Sequence, residues 1–333
     1  MSLKFLIAGL GSIGRRHLRN LKALGETDIV FYRTHQSTLP EDELKGFPVE
    51  TDIHAALRHQ PHAVIVCNPT ALHMDVAIPA AQAGCHLLLE KPISNSLDRI
   101  DVLRAAVLKG GGEVLVGFQF RFHPTLQIAA RLIREGAIGR PLYVRAHWGE
   151  YLPGWHPSEN YKMGYAARKD LGGGALLTLC HPIDYLRYLF GEIQSLTAVI
   201  DSIGDLAIST EDVVEINLRF ANGAMGSLHL DYLQQPPAHR VEIIGTEGSL
   251  LWDNEDGCLR LYRAPLKKWK TWFPPEGFER NTLFLEEMRH FISVVQRKIS
   301  PVCGLEDGVK VIEVTHAAKQ AAEKGRKVVV AYE

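Results

Sequence analysis

Three glycines, Gly9, Gly11 and Gly14, stand as G-x-G-x-x-G directly after the apolar run KFLIA and directly before a helix-like run that begins near Ser12. Few short patterns restrict a fold so tightly. The first glycine permits a tight turn, the second lets the backbone approach a pyrophosphate, and the third lets helix and strand pack closely. The helix start, with Ser12 and Ile13, adds free N–H groups and partial positive charge. A glycine-rich turn without a ligand is the plain alternative, and the surrounding rhythm weighs against it.

That rhythm runs through the first 120 residues. Short β-rich runs (KFLIAGLG, DIVFYRT, AVIVCNP, HLLLEKP, EVLVGFQF) alternate with helix-like segments, among them Ile53 to Arg58 and Leu97 to Leu108. The runs are nearly continuous in Val, Ile and Leu, as expected of parallel strands covered on both faces. From about Phe122 the texture changes. A helix-like segment, Pro124 to Glu135, is followed by long β-type runs joined by short turns such as Ala221-Asn222-Gly223, then by helix-like segments Asn281 to Arg297 and Leu305 to Glu323 and a last strand, KVVVAYE. Short links imply antiparallel neighbours. The fold class is therefore α/β: an N-terminal Rossmann doubly wound parallel sheet over 1–121, and a C-terminal α+β domain with an open, mainly antiparallel sheet over 122–333.

Composition excludes several roles. With a net charge of −1 over 333 residues, no field draws the whole chain to nucleic acid or an anionic membrane. The basic run Arg15, Arg16, His17, Arg19 is either a wetted helix face or a local aid to the phosphate loop. Five scattered cysteines, none spaced C-x-x-C, indicate neither a disulfide framework nor a zinc site, so no metal is expected and reduced cytosol fits. No apolar stretch reaches membrane-spanning length and the first residues lack a signal-peptide pattern. A cytoplasmic location is expected.

Rossmann sites that prefer NAD usually close the second strand with an acid that binds the ribose 2′-hydroxyl. Here the strand ends Phe31-Tyr32-Arg33-Thr34-His35, and the nearby acid, Asp28, is at its start. Arg33, Thr34 and Ser37 are instead suited to a 2′-phosphate. NADP is the expected cofactor, with NAD as the alternative.

Five segments carry a family resemblance: GLGSIGRRH (9–17), AVIVCNPTALH (63–73), AGCHLLLEKP (83–92), VGFQFRFHP (116–124) and LGGGALLTLCHPIDYLRYLFG (171–191). In order and spacing they resemble the glucose-fructose oxidoreductase / inositol dehydrogenase family (Gfo/Idh/MocA) along nearly the whole chain. The resemblance implies a nicotinamide-dependent oxidoreductase acting on sugars, polyols or sugar nucleotides, assembled as a homodimer or homotetramer through the outer face of the C-terminal sheet. It implies that Lys91, between Glu90 and Pro92, sits beside the nicotinamide. A cation there lowers the barrier to hydride loss by stabilising the developing alkoxide. Asn68, Pro69, Thr70 and His73 contact the nicotinamide ribose by the same likeness, or simply begin a helix.

His181 is the expected proton carrier, since imidazole titrates near neutrality. Asp184 lies three residues on and shares its helical side, where it either orients the ring or helps bind substrate, with Ile183, Leu186 and Phe190 opposite and facing the core. Many relatives have aspartate where Thr178 stands here, so Thr178 either binds substrate or fills space. Pro182 should break the helix or begin a new one. Arg121 is the expected substrate-binding arginine, lying where the chain passes between domains. The irregular segment Trp148 to Gly174 offers Tyr151, Trp155, His156, Tyr161 and Arg168 as specificity residues, or as loop anchors or an oligomer contact. Two other readings stay open: a silent dinucleotide-binding regulator, and transient oxidation that drives elimination or glycosidic cleavage.

Overall fold

The structure, a computed structural model, describes residues 3–34, 42–156 and 159–332. It divides into two compact units, which are taken in turn.

The first comprises residues 1–119 with 279–309. Its elements are β1 (Lys4–Ala8), α1 (Ser12–Ala23), β2 (Asp28–Tyr32), β3 (Val49–Glu50), α2 (Ile53–Leu57), β4 (Ala63–Val66), α3 (His73–Gln82), β5 (His86–Leu89), α4 (Ile100–Gly110) and β6 (Val114–Val116). The six strands form one parallel sheet in the order β3-β2-β1-β4-β5-β6. This doubly wound order reverses between β1 and β4, the point outside whose carboxyl ends such sheets bind ligands. Every residue of β4 and β5 is buried, which is why those strands read as unbroken apolar runs.

The second unit comprises 120–278 and 310–333. It holds α5 (Pro124–Arg134), β7 (Pro141–Gly149), α6 (Ala175–Thr178), α7 (His181–Phe190), β8 (Ile193–Asp201), β9 (Val213–Phe220), β10 (Met225–Asp231), β11 (Ala238–Gly245), β12 (Gly248–Asp253), β13 (Leu259–Arg263) and β14 (Lys268–Trp272). Two helices follow in the chain, α8 (Arg280–Val295) and α9 (Leu305–Lys324), and then β15 (Val328–Val329). α8 belongs to the first unit, where it packs on α1, so one cut near residue 121 does not describe the chain. The signal for this return is not local: α8 reads as an ordinary amphipathic helix, and its partner lies some 260 positions earlier in sequence, as the Asn281–Asn20 side-chain bond illustrates.

The nine-stranded sheet runs β14-β13-β12-β11-β7-β10-β9-β8-β15 and is antiparallel except where β7 meets β10. β7 is followed by a long irregular segment and two helices rather than a hairpin, so it is free to insert between β10 and β11. The short turn after β9 is a hairpin as expected: Gly223 has φ +88°, and the Asn222 side chain accepts from the Ala224 N–H. β9 alternates buried and exposed residues along its length, so one face of the sheet packs on the unit's core.

Candidate functional site

At the carboxyl edge of the parallel sheet the glycine motif follows from steric limits. Gly9 has φ +100°, donates its N–H to the Tyr32 carbonyl at 3.1 Å, and lies so near the next loop that a Cβ would stand 2.6 Å from the Asn68 nitrogen. A Cβ on Gly14 would stand 2.2 Å from the Gly9 carbonyl oxygen. A Cβ on Gly11 would meet nothing within 4 Å. Two of the glycines thus draw α1 onto the sheet, and the third faces open space at the start of α1, where no side chain caps the helix. Exposed Gly11 and Ser12 and half-exposed Ile13 form a surface that a pyrophosphate can approach. On this geometry the residues present fit a dinucleotide.

The loops after the neighbouring strands complete the edge. Asn68 donates through Nδ2 to the Leu72 carbonyl (2.9 Å), and buried His73 holds the Asn68 carbonyl through Nε2 (2.9 Å). Burial lowers the His73 pKa, partly countered by its bond to the Asn68 backbone and by the charge of Glu90. Thr70 is buried at the start of a helical turn, while Asn68 and Pro69 stay half-exposed.

Glu90 and Lys91 follow β5 directly. The Glu90 carboxylate accepts from His17 Nε2 at 2.7 Å through Oε1, and from the Lys91 backbone N–H at 3.3 Å through Oε2. Burial resists ionisation of Glu90, but the His17 hydrogen bond, the charges of His17 and Lys91, and the Lys91 N–H together hold its pKa below the ordinary carboxyl value. Pro92 is buried beyond a cis peptide bond, and Lys91 is half-exposed. The basic run of α1 is largely spoken for: Arg15 and Arg19 both bond Glu43, Arg16 lies over the Phe284 ring at 4.3 Å, and His17 is the Glu90 partner. At the end of β2, Arg33 is only 6% exposed and Thr34 is exposed. Ser37 lies outside the described residues.

In the second unit the chain enters α7 through a run that tolerates only glycine. A Cβ on Gly173 would press on the Tyr165 carbonyl, and one on Gly174, at φ +110°, would press on the Glu211 carboxyl. Glu211 in turn accepts from the Leu176 N–H. α6 ends at Thr178, and α7 starts at His181 with Pro182 in its first turn, as Pro182 implied. Ile183, Leu186 and Phe190 of α7 are buried as expected, and His181 and Asp184 are buried too, because a second layer covers the polar side.

That layer is Arg121 and a group of rings. The Arg121 fork grips Asp184 with Nη2–Oδ1 at 2.7 Å and Nε–Oδ2 at 3.0 Å, both residues being under a tenth exposed. Two residues expected to meet substrate thus engage each other, and Asp184 has Arg121 as a partner rather than a role confined to the His181 ring. His181 stacks on Trp148 (centroids 5.5 Å apart) and meets the edge of Phe120 at 5.2 Å. His239 lies on Trp148 as well (4.1 Å, 6° between planes) and is bonded to the Tyr185 hydroxyl at 3.1 Å. Phe120, Trp148, Tyr185 and His239 therefore join the candidate site around His181, and none of them is singled out by the sequence. The signal in the sequence, a polar residue on the buried face of β11, is faint without knowing the register.

Thr178 is buried near Tyr232, whose hydroxyl donates to the Ala166 carbonyl at 3.3 Å and has its pKa pushed well up by burial. In the segment after Trp148, Trp155 packs edge-on against Tyr232 (5.5 Å) and the Tyr161 hydroxyl bonds the Leu206 carbonyl (3.0 Å), so both act as anchors. Arg168 pairs with Asp170 at the surface, and Tyr151 and His156 remain exposed. No described helix is long and apolar enough to cross a membrane. All five cysteines are buried, and no disulfide joins them among the described residues.

Comparison with known proteins agrees with this layout. Residues 3–118 match the family described as an oxidoreductase family with an NAD-binding Rossmann fold, and 126–251 match a GFO/IDH/MocA C-terminal domain. The chain is 32% identical over 238 residues to levoglucosan dehydrogenase of Pseudarthrobacter phenanthrenivorans, covering 63% of this chain but only 60% of that relative. It is 27% identical to myo-inositol 2-dehydrogenase of Thermotoga maritima over 97% of both chains. A solved levoglucosan dehydrogenase in complex with NADH superposes with a TM-score of 0.89 at 25% identity over 100% of both chains.

Proposed function

Because the chain belongs to the GFO/IDH/MocA family of oxidoreductases, we propose that it is a dehydrogenase that exchanges a hydride between a nicotinamide dinucleotide and a secondary alcohol carbon of a sugar- or polyol-like compound. The observation that carries this reading is the pairing of two features on one sheet edge. An open, uncapped helix start at Gly11 and Ser12 is fit for a pyrophosphate. Lys91 sits at the end of β5 with its backbone fixed by a buried carboxylate.

The dinucleotide, when bound, supplies the hydride acceptor or donor. Gly9, Gly11, Ser12, Ile13 and Gly14 would hold its pyrophosphate, and Asn68 and Pro69 its nicotinamide half. Lys91 hydrogen-bonds the reacting oxygen and stabilises the negative charge that grows there as hydride leaves the carbon. His181 takes the hydroxyl proton in the oxidative direction and returns it in the other. Its ring plane is held by the stack on Trp148 and the edge of Phe120, and the Arg121–Asp184 fork holds the helix that carries it. Exposed Tyr151 and His156 are the proposed sugar contacts in the irregular segment.

NAD is the cofactor we infer. The missing acid at the end of β2 favours NADP, but the Arg33 side chain is buried and would have to leave the interior to meet a 2′-phosphate. If Arg33 does bind that group, Arg33→Ala weakens NADP and spares NAD. The name levoglucosan dehydrogenase and the name myo-inositol 2-dehydrogenase both point to ring alcohols as first probes. Purified protein incubated with NAD or NADP and a panel containing levoglucosan and myo-inositol is followed by the near-ultraviolet band of reduced nicotinamide and by product mass. Reduced cofactor in step with a product two hydrogens lighter supports the proposal. Product without reduced cofactor points to elimination, and binding without product across the panel points to a silent regulator.

A further inference from the structure

Immediately behind Lys91 lies a buried group that no step above uses. α1 supplies His17, the end of β5 supplies Glu90 and α8 supplies Glu287, all within the first unit. His17 and Glu287 are each 0% exposed, and one nitrogen or oxygen of each of the three lies within 4.8 Å of the others. Glu90 employs both oxygens, on His17 and on the Lys91 N–H. Glu287 has neither oxygen hydrogen-bonded among the described residues. An unsatisfied buried carboxyl in a folded protein calls for an explanation, and two carboxyls in one dry site cannot both ionise cheaply.

Charge settles which of the two keeps the proton. Glu90 faces His17, Lys91 and Arg16, while Glu287 is opposed first by its burial and then by the charge of Glu90, which together push its acid well above the ordinary range. The other titratable groups that feel Glu90 are Cys67, raised by burial and by that charge, and His73. Arg280, at the start of α8, acts on Arg16 and lowers it further.

We propose that Glu287 is a positioning residue for the Lys91 site: a neutral carboxylic acid whose proton is offered to Glu90, so that Glu90 stays the one negative charge behind Glu90-Lys91-Pro92. This rests on the reading of Lys91 as the group that polarises the reacting oxygen. Glu287 never touches substrate. Its O–H holds the Glu90 carboxylate ionised, and the carboxylate holds the Lys91 backbone through its N–H.

Two variants of the full chain test this. Glu287→Gln keeps the shape, the neutrality and a donor, so its pH–rate profile overlays that of the unaltered protein. Glu287→Leu removes the donor, Glu90 gains a proton more readily, and the acid limb of the profile moves to higher pH by roughly half a unit or more, one unit being a tenfold change in the ionisation equilibrium. Stability gives a readout that needs no turnover. A group whose folded pKa is raised contributes stability below its unfolded value of about 4.3, and that contribution is lost as pH rises toward the folded value. Gln does not titrate, so the melting temperature of Glu287→Gln gains on that of the unaltered protein as pH is raised from about 5 to about 8.

Infrared difference spectra should show the carbonyl stretch of a protonated carboxyl at neutral pH, shifted in deuterium oxide and gone in both variants. Absence of that band, a flat melting-temperature difference, or a stoichiometric metal found by elemental analysis overturns the proposal. The same holds for Gln and Leu moving the rate profile equally. Failure of the Lys91 reading appears elsewhere, as turnover surviving in Lys91→Met, and leaves the infrared and stability results to judge Glu287 alone.

Discussion

The sheet edge of the first unit and the start of α7 in the second are built by different means. Along the edge, positions are set by backbone: no Cβ fits at Gly9 or Gly14, and Lys91 is placed by the end of a fully buried strand. Around His181, positions are set by side chains: a guanidinium fork on Asp184 and imidazoles stacked on Trp148. A backbone-built site tolerates change in its surroundings but not a methyl group at the wrong place. A site built from side chains depends on partners distant in sequence, and losing one leaves the other buried without its counterion.

The strongest way to break this contrast is at Asp184. Asp184→Ala strands the Arg121 guanidinium in the interior, and breaking such a pair costs about 3–5 kcal/mol, read as a lower denaturation midpoint with little change in dinucleotide affinity. A loss below about 1 kcal/mol, the worth of an exposed pair, would mean that the fork does not set this region. Next in size is Lys91→Met. Removing a donor to a developing oxyanion lowers kcat by about 10²–10³, or ~2.7–4 kcal/mol, while titration with reduced dinucleotide should give an affinity close to that of the unaltered protein. Loss of dinucleotide binding in a folded variant would move Lys91 from chemistry to binding.

Gly14→Ala sharpens the other side. Its Cβ meets the Gly9 carbonyl oxygen at 2.2 Å, backbone that cannot swing aside. Overpacking of this kind costs about 1–3 kcal/mol, and here it should fall on dinucleotide affinity more than on the second unit's resistance to unfolding. Equal effects on both would show that the edge is not set by backbone contact alone.

The same contrast explains what the sequence disclosed. Gly9, Gly11 and Gly14 are legible because three local backbone demands fix their spacing, and the strand order follows from the alternation of buried runs with helices. Lys91 is legible through its neighbours Glu90 and Pro92. Arg121 and Asp184 were each visible as candidates, but their bond spans 63 positions, and only the packing of α7 joins them. The layer over the polar side of α7 is not legible because it comes from three segments distant in sequence: Phe120 with Arg121, Trp148, and His239. Glu287 was hidden for a related reason: a glutamate in a charged helix reads as solvated until α8 is seen to return to α1. Arg33 read as a phosphate ligand from position alone, whereas burial is a property of the folded unit.

Hydride transfer itself is tested most directly by isotope. The first alcohol in the panel that turns over is prepared with deuterium on the carbinol carbon and incubated with NAD, and the reduced dinucleotide is recovered and weighed by mass spectrometry. Deuterium carried on the nicotinamide ring, one per molecule of ketone formed, is the result expected here. Deuterium left in the product or washed into solvent, with product still accumulating, would contradict it.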